Sequence, residues 1–237
     1  DYALIDGLLM SDGFPPFTHS TVYGNISVIK LGGIFSVYDI DGNFDPVQAQ
    51  HMAAFMMAVE EINNKTDGIH DDVLPNTLLK VAVRHGYGFA GSIEAAIKLR
   101  DAFYFTGVHG VVGTLPNEGT LAAHSLFGDI QKVMVHSVGS ASDFGSAEKF
   151  PYKIQVVPIS TYQGMVIQDI FCNYFKYEKI SLFYNADNFG TKTAIDMADN
   201  TFCNINILSH HSFPSDLKDF SVIIEDAKLI GARVFAL

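Results

Sequence analysis

The sequence of 237 residues predicts an α/β fold with parallel sheets flanked by helices. Short runs rich in Val, Ile and Phe are typical of buried strands, and they alternate with segments whose apolar residues recur at helical spacing. Strands that alternate with helices form right-handed βαβ units, so the strands are expected to run parallel. The loop at 137–158 interrupts this alternation. We therefore expect an irregular leader at 1–24, lobe one at 25–157 and an incomplete lobe two at 158–237.

Lobe one is expected to hold four strands and three helices. The strands are predicted at 26–36, 77–84, 108–113 and 132–136, and the helices at 46–63, 91–105 and 117–127. Asp45 suits the N-cap of the first helix and Pro46 its first turn. The buried side of the second helix is predicted to comprise Ile93, Ala96, Ile97 and Phe103.

Lobe two is expected to repeat the pattern after a loop of small residues, SVGSASDFGSAEKFPY, at 137–152. Its helices are predicted at 161–175, 191–200 and 216–230, and its strands at 179–184, 206–210 and 233–236. No helix follows the last predicted strand, so we expect the chain to be a fragment of a longer protein.

Charge and hydropathy exclude two classes of partner. The net charge is −11 and no basic stripe is present, which argues against nucleic acid and against anionic membrane surfaces. No run reaches the roughly 18 apolar residues of a membrane span. A membrane connection is therefore expected only through a segment outside this sequence.

Cysteines and glycosylation sequons bear on the compartment. Cys172 and Cys203 are too few for a four-cysteine zinc site, and they could form one bridge or remain two buried thiols. A bridge would tie the first helix of lobe two to the segment just after the second. Two N-x-[ST] sequons, at Asn25 and Asn64, permit glycosylation in a secreted protein.

The loop after the first strand invites a metal-site hypothesis. It carries acidic or amide side chains at alternate positions: Asp39, Asp41, Asn43 and Asp45. A calcium loop of the EF-hand type needs glycine at its sixth position and an acidic residue at its twelfth. Phe44 and Gln50 stand there instead. The pattern favours a solvated loop with a helix cap, and no metal is expected.

The segment GYGFAG at 86–91 is a literal G-x-G-x-x-G between a strand and a helix. A dinucleotide site also needs a carboxylate at the end of the next strand, and GVHGVVGT has none. A glycine-rich turn that brings the helix close to the sheet explains the motif. Neither a zinc-ligand spacing of histidines nor a G-x-S-x-G elbow is present, so no catalytic residue and no cofactor are expected.

Two polar loops remain as candidate binding sites. GTLPNEGT at 113–120 precedes a helix and would expose backbone N–H groups to an anion, and HSVGSASD at 136–143 offers small hydroxyl residues at another strand end. Ligands of open parallel sheets bind at the carboxyl ends of the strands. Both loops therefore suit a carboxylate, although ordinary helix capping explains the same residues.

A family resemblance extends over roughly residues 28–237. LGGIFSVYD, then AVEEINN and LPNTLLKVAVR, resemble the start of the receptor-family ligand-binding region, and GVVGTLPNEGT, YKIQVVPISTYQG and NADNFG continue the resemblance in order. The resemblance implies a type I periplasmic-binding-protein fold with two hinged lobes. That fold occurs in the ectodomains of class C G-protein-coupled receptors and natriuretic-peptide receptors, and in bacterial amino-acid-binding proteins.

The resemblance also implies particular ligand contacts. On the side of a ligand carboxylate, His51 stands where amino-acid-sensing members have an arginine, Asn117 where they have a serine or threonine, and Ser140 matches a hydroxyl. On the amine side, Ser160 replaces an aspartate and Phe189 replaces a tyrosine. An ammonium ion needs an acceptor or an aromatic face, and Phe189 offers only the face.

By this resemblance we expect the extracellular ligand-binding domain of a membrane receptor, without catalysis of its own. A small molecule or peptide would bind in the cleft between the lobes, and cleft closure would signal, because the closed state binds the ligand more tightly. A membrane span and a signalling domain, G-protein-coupled or cyclase, would lie beyond Leu237. A homo- or heterodimer through lobe one is also implied. The alternatives are a soluble solute-binding protein of an amino-acid-type transporter and a dinucleotide-using enzyme.

Overall fold

A computed structural model describes residues 27–199 and 203–236 of the chain. The predicted leader at 1–24 and the sequon at Asn25 lie outside these residues. The chain divides into two compact units. The first extends to residue 139 and includes 147–157, whereas the second comprises 140–146 and the chain from residue 158 onward. The short segment 140–146 therefore belongs to the second unit, although it lies between two segments of the first.

The first unit contains a parallel sheet of five strands in the order β2-β1-β3-β4-β5. The strands are β1 (Ser27–Phe35), β2 (Thr77–His85), β3 (Gly110–Gly113), β4 (Val133–His136) and β5 (Lys153–Gln155). The predicted parallel α/β class is confirmed. Strand β5 was not predicted, because its three residues are only partly buried or exposed and show no apolar run.

In the part of the first unit that the structure describes, four helices accompany this sheet: α1 (Pro46–Asn63), α2 (Gly88–Arg100), α3 (Ala102–Phe105) and α4 (Asn117–Asp129). The predicted cap is confirmed, since the Asp45 carboxylate accepts the backbone N–H groups of Val47 and Gln48. The prediction of one helix over 91–105 was wrong. Helix α2 starts three residues earlier and ends at Arg100, with Asp101 as its C-cap. The short helix α3 follows, and Phe103 and Phe105 in it take left-handed φ angles of 53° and 65° as the chain turns toward β3.

The two faces of the first sheet bury separate clusters, because neighbouring strand residues point to opposite sides. Ile34 packs with Leu99 of α2 and Phe127 of α4, whereas Phe35 packs with Met52 of α1. The prediction that Ile97 lies on the buried side of α2 was wrong, since Ile97 is 37% exposed and Leu99 is fully buried. The helix turns its small residues to the sheet, where a close approach is needed.

The second unit contains three parallel strands in the order β7-β6-β8. The strands are β6 (Lys179–Asn185), β7 (Asn206–Phe213) and β8 (Phe235–Ala236), and the helices are α5 (Ser160–Asp169), α6 (Asn188–Asp199) and α7 (Ser221–Leu229). A π-helical turn, Ile170–Tyr174, extends α5. Helix α7 begins later than predicted, because the Asp219 carboxylate accepts the N–H of Ser221 and holds the preceding residues in a turn.

A disulfide joins Cys172 in the π-helical turn to Cys203, with a Cα–Cα distance of 6.4 Å. Of the two alternatives that the sequence leaves open, the structure contains the bridge. It ties the end of α5 to the segment between α6 and β7 within the second unit.

Candidate functional site

Buried polar side chains gather where the strands of the first sheet end. Ser36 follows β1, Thr114 and Asn117 follow β3, and His136 ends β4; each is at most 7% exposed. Burial of a polar group is costly unless it is hydrogen-bonded. This carboxyl edge is therefore a polar surface that is held in place by its own hydrogen bonds.

Two hydrogen bonds fix the loops of this edge. The Thr114 hydroxyl donates to Gln48 Oε1 at 2.5 Å, which joins α1 to the loop after β3. The Ser36 hydroxyl donates to the carbonyl of Gly86 at 2.6 Å, which joins the loops after β1 and β2. The oxygens of both hydroxyls keep acceptor capacity, and the loops that carry them are held in one arrangement.

His51 lies in α1, three residues after Gln48, so the two side chains are neighbours on one face of the helix. Its Nδ1 is enclosed and has no hydrogen-bond partner among the described residues. Only Nε2 of this ring can therefore meet a ligand. An imidazole N–H is a donor for a carboxylate, as the resemblance implied for this position.

Asn117 is the first residue of α4 and is 7% exposed. The preceding residue, Pro116, supplies no side-chain cap, and the first hydroxyl along the helix, that of Thr120, donates to the Leu115 carbonyl at 2.7 Å. The first backbone N–H groups of α4 thus point beyond the helix end, where the helix dipole favours negative charge. The hydrogen bond between Thr114 and Gln48 holds the start of α4 and helix α1, which carries His51, at the same carboxyl edge of the sheet.

The acidic loop after β1 uses its side chains to build its own turn. The Asp39 carboxylate accepts the backbone N–H groups of Asp41 at 2.9 Å and Asn43 at 2.8 Å, and also the Asn43 side chain at 2.9 Å. These bonds lower the pKa of Asp39, and the bond from the Asn43 side chain has the largest effect. No metal-ligand group of three or more His, Cys, Asp or Glu residues is present in residues 27–199 and 203–236.

The glycine-rich loop at 86–91 brings α2 close to β1. A Cβ on Gly86 would lie 2.9 Å from the Ile34 side chain and 3.2 Å from the Ser92 Cα, so only glycine fits. This close approach is the structural explanation that the sequence offered for the motif.

Two buried histidines lie beneath the same edge. The rings of His124 on α4 and His136 on β4 pack edge to face, with centroids 5.0 Å apart. Burial is the main cause that lowers the pKa of His124 to about 3 and that of His136 to about 4. The neighbouring His136 and the positive charge of Lys153 contribute to the shift of His124, and Lys153 contributes to that of His136. Both rings are therefore neutral near pH 7.

In the second unit, two of the predicted contacts meet each other. The backbone N–H of Ser160 donates to the carbonyl of Ser140 at 2.6 Å. The Ser160 hydroxyl donates to Asp196 Oδ2 of α6 at 2.5 Å, and Ser160 is fully buried. Asp143 of the same 140–146 segment pairs with Lys192 of α6 at 3.2 Å. These bonds fasten the segment and the start of α5 to α6.

Phe189, the last predicted contact, lies in the first turn of α6 and is 47% exposed. Its carbonyl accepts the Thr193 hydroxyl at 2.9 Å. Phe189 lines a cavity within the second unit, and Ser160 is not among the described residues that line it. The five predicted contacts thus fall into His51 and Asn117 in the first unit, and Ser140, Ser160 and Phe189 in the second.

Sequence reasoning missed three polar residues of these sites: Gln48, Thr114 and Asp196. Gln48 had a signal, because it shares a helix face with His51. Thr114 lies in a loop that was already a candidate. No sequence signal pointed to Asp196, because its contact with Ser160 joins residues that are 36 positions apart.

Comparison with known protein families identifies the family to which this chain belongs. The sequence profile of the receptor family ligand binding region matches residues 50–237, more than three quarters of the chain. The chain belongs to this family. The family resemblance and the fold that it implies are therefore confirmed, and the family is one of ligand-binding regions of receptors rather than of enzymes.

A search of curated proteins returned no match. Within residues 27–199 and 203–236, the structure contains no helix that is long and apolar enough to span a membrane. Membership of the receptor family ligand binding region therefore rests on the profile match, and it implies a ligand as partner.

Proposed function

We propose that this chain is an extracellular ligand-binding domain of a membrane receptor, and that the carboxyl edge of its first sheet binds a carboxylate or similar anionic group of a small molecule or peptide. The observation that carries the proposal is the set of donors at this edge. Asn117 and the first N–H groups of α4 lie on one side, and His51 lies on the α1 side. Family membership supplies the ligand-binding role.

The chemistry of this edge favours an anion over a cation. A helix N-terminus carries partial positive charge, and an amide and an imidazole N–H are donors. The nearby hydroxyl of Thr114 donates to Gln48, so it does not donate to the anion, and its oxygen suits a hydrogen-bond donor elsewhere on the ligand. Ser140 and Ser160 of the second unit are part of the proposal as further polar contacts, and closure of the two lobes on the ligand is its mechanical part.

The extracellular setting is a further part of the proposal. The Cys172–Cys203 disulfide fits an oxidising compartment. Asn64 is proposed as a glycan acceptor: it directly follows α1, and the Thr66 hydroxyl donates to its Oδ1 at 3.0 Å. Attachment to the plasma membrane, signalling through a G protein or a cyclase, and dimerisation through lobe one rest on the resemblance alone. Catalysis by the chain is not proposed.

A thermal-shift panel tests the proposed site. Amino acids, their decarboxylated and deaminated analogues, nucleosides and short peptides are added to the purified chain. We expect carboxylate-bearing compounds to raise the Tm, and the rise to vanish in Asn117→Asp, because a buried carboxylate of the protein repels that of the ligand. Asn76→Asp makes the same change at an exposed position and should keep the response.

The outcome separates ligand classes. A response to deaminated but not to decarboxylated analogues supports recognition through the carboxylate. Equal responses of Asn117→Asp and the unaltered chain would place the ligand elsewhere and would overturn this site. A His51→Phe variant, which removes the Nε2 donor but keeps a ring, should weaken binding by about tenfold.

A further inference from the structure

We propose that the second unit contains a separate binding site for a neutral molecule that has one aromatic ring and one hydrogen-bonding group. The site is a cavity of about 250 Å³ between α6 and the strands β6 and β8. All of its lining residues belong to the second unit. Phe189, which the resemblance implies as a contact on the amine side of a ligand, is among them, whereas none of the groups proposed to bind the carboxylate is. The inference therefore does not depend on carboxylate binding at the first sheet.

The cavity is open to solvent on one side, and its inner wall belongs to a hydrophobic core. Leu182, Ala194, Met197 and Ala236 line it, and they belong to one buried cluster in which each is at most 8% exposed. Protein interiors are close-packed and contain few voids larger than a water molecule. An open apolar cavity of this size beside such a cluster has room for a small molecule.

Small side chains create the space. Gly190, Ala194 and Ala236 face the cavity from α6 and β8. Glycine at 190 is forced, because a Cβ there would lie 2.3 Å from the Asn185 carbonyl oxygen. Ala194 and Ala236 each carry only a methyl group, which leaves the space beside them open. Replacing either alanine with a larger residue should fill the void.

The charge of the lining selects a neutral occupant. Among residues 27–199 and 203–236, no residue that lines the cavity is charged. A charged group that entered would lose its hydration without an ion-pair partner, which costs several kcal/mol in general. An apolar cavity of about 150 Å³ already suffices for a benzene-sized molecule. The larger space here accommodates one ring with a substituent.

The mouth supplies the polar contact and the aromatic face. Thr193 Oγ1 donates to the Phe189 carbonyl at 2.9 Å, so its lone pairs remain able to accept. The Asn185 amide N–H donates to Asp187 at 3.0 Å, which leaves Oδ1 as an acceptor. Both residues line the cavity, as does the half-exposed ring of Phe189. These acceptors match a donor on the ligand, such as a phenol O–H or an indole N–H.

Thermal unfolding and ligand-observed NMR test this site with phenol, indole and the cationic benzylamine. We expect phenol and indole to raise the Tm of the chain by a few degrees at saturating concentration, and benzylamine to have no effect. Ala194→Leu should lower the affinity by at least about tenfold because it fills the space. Ala198→Leu is the matched control, since it makes the same change at an exposed position of the same helix.

A second variant keeps the test informative if Ala194→Leu does not fold. Ala236→Val narrows the cavity from β8, with no change in α6, and should also abolish the response. Binding of phenol or indole that is equally strong in Ala194→Leu, Ala236→Val and the unaltered chain would overturn the proposal, as would no binding of either probe to the unaltered chain. Loss of the carboxylate response in Asn117→Asp with retention of the indole response would show that the two sites are separate.

Discussion

The two units build parallel sheets by the same alternation of strand and helix, yet they fill their interiors differently. The first unit buries apolar clusters on both faces of its sheet and carries a buried polar edge. The second unit leaves a cavity of about 250 Å³ beside β6. It also contains both cysteines of the chain, joined in a bridge.

This difference indicates what each unit depends on. The first relies on packing and on buried groups that must remain uncharged, such as His124 and His136. The second has a looser core and a covalent tie that restrains its unfolded chain. Changes in redox state and in pH should therefore act on different units, and hydrogen exchange can follow strands β1 and β6 separately.

Loss of the disulfide should give the largest effect and should be confined to the second unit. The bridge closes a loop with a sequence separation of 31 residues. The chain-entropy relation assigns about 3–4 kcal/mol to a loop of this size. Paired Cys172→Ser and Cys203→Ser substitutions should therefore accelerate exchange in β6 by hundreds-fold and leave β1 unchanged. Equal acceleration in both strands would show that the units unfold together.

Acid should act on the first unit. The folded-state pKa values of His124 and His136, about 3 and about 4, lie below the unfolded value near 6.5, so the unfolded chain binds more protons between these limits. Stability is full above about pH 6.5 and falls as the pH falls toward 4, by an amount on the order of 2 kcal/mol for each of the two histidines at pH 5.

Urea titrations at pH 7 and pH 5 measure this loss, with hydrogen exchange in β1 as the local readout. His124→Phe should flatten the dependence, because it keeps a ring beside Phe150 and removes one titrating group. His210→Gln changes an exposed histidine of the second unit and serves as the control. A pH dependence that is unchanged in His124→Phe would contradict this assignment.

The smallest predicted effect concerns the start of α1. Asp45 accepts the N–H groups of Val47 and Gln48, whereas α5 of the second unit begins without a side-chain cap bond from Ile159. Asp45→Ala should cost about 1 kcal/mol in the free energy of unfolding of the first unit. Asp41→Ala, in the same loop but exposed, should cost almost nothing. Equal losses in the two variants would remove the capping role.

Local sequence patterns were sufficient where a structure depends on neighbours along the chain. Strand β1, helix α1 and the Asp45 cap were predicted almost to the residue, because alternation, helical spacing and capping act over a few positions. The exposed side of α2 was predicted wrongly at Ile97, since two faces of that helix carry apolar residues. In the structure, the face that carries Ala95, Ala96 and Leu99 is the one buried against the sheet.

The candidate site was predicted in part for the same reason. The loops after β3 and β4 follow from the rule that ligands meet parallel strands at their carboxyl ends, and the polar residues in them are visible in sequence. The five ligand contacts stay predictions. The Thr114–Gln48 and Ser160–Asp196 bonds were not visible, because their partners lie 66 and 36 positions apart.

By itself the sequence determined the alternation of strands and helices, the order of the two lobes and the family to which the chain belongs. Only the tertiary structure decided that residues 140–146 group with the second unit, that Cys172 and Cys203 are bridged, and that small residues at 194 and 236 meet across a cavity. Periodicity and capping are short-range effects that a sequence records directly. Bridges, cavities and loop attachment depend on which distant residues become neighbours, and only packing of the folded chain sets those distances.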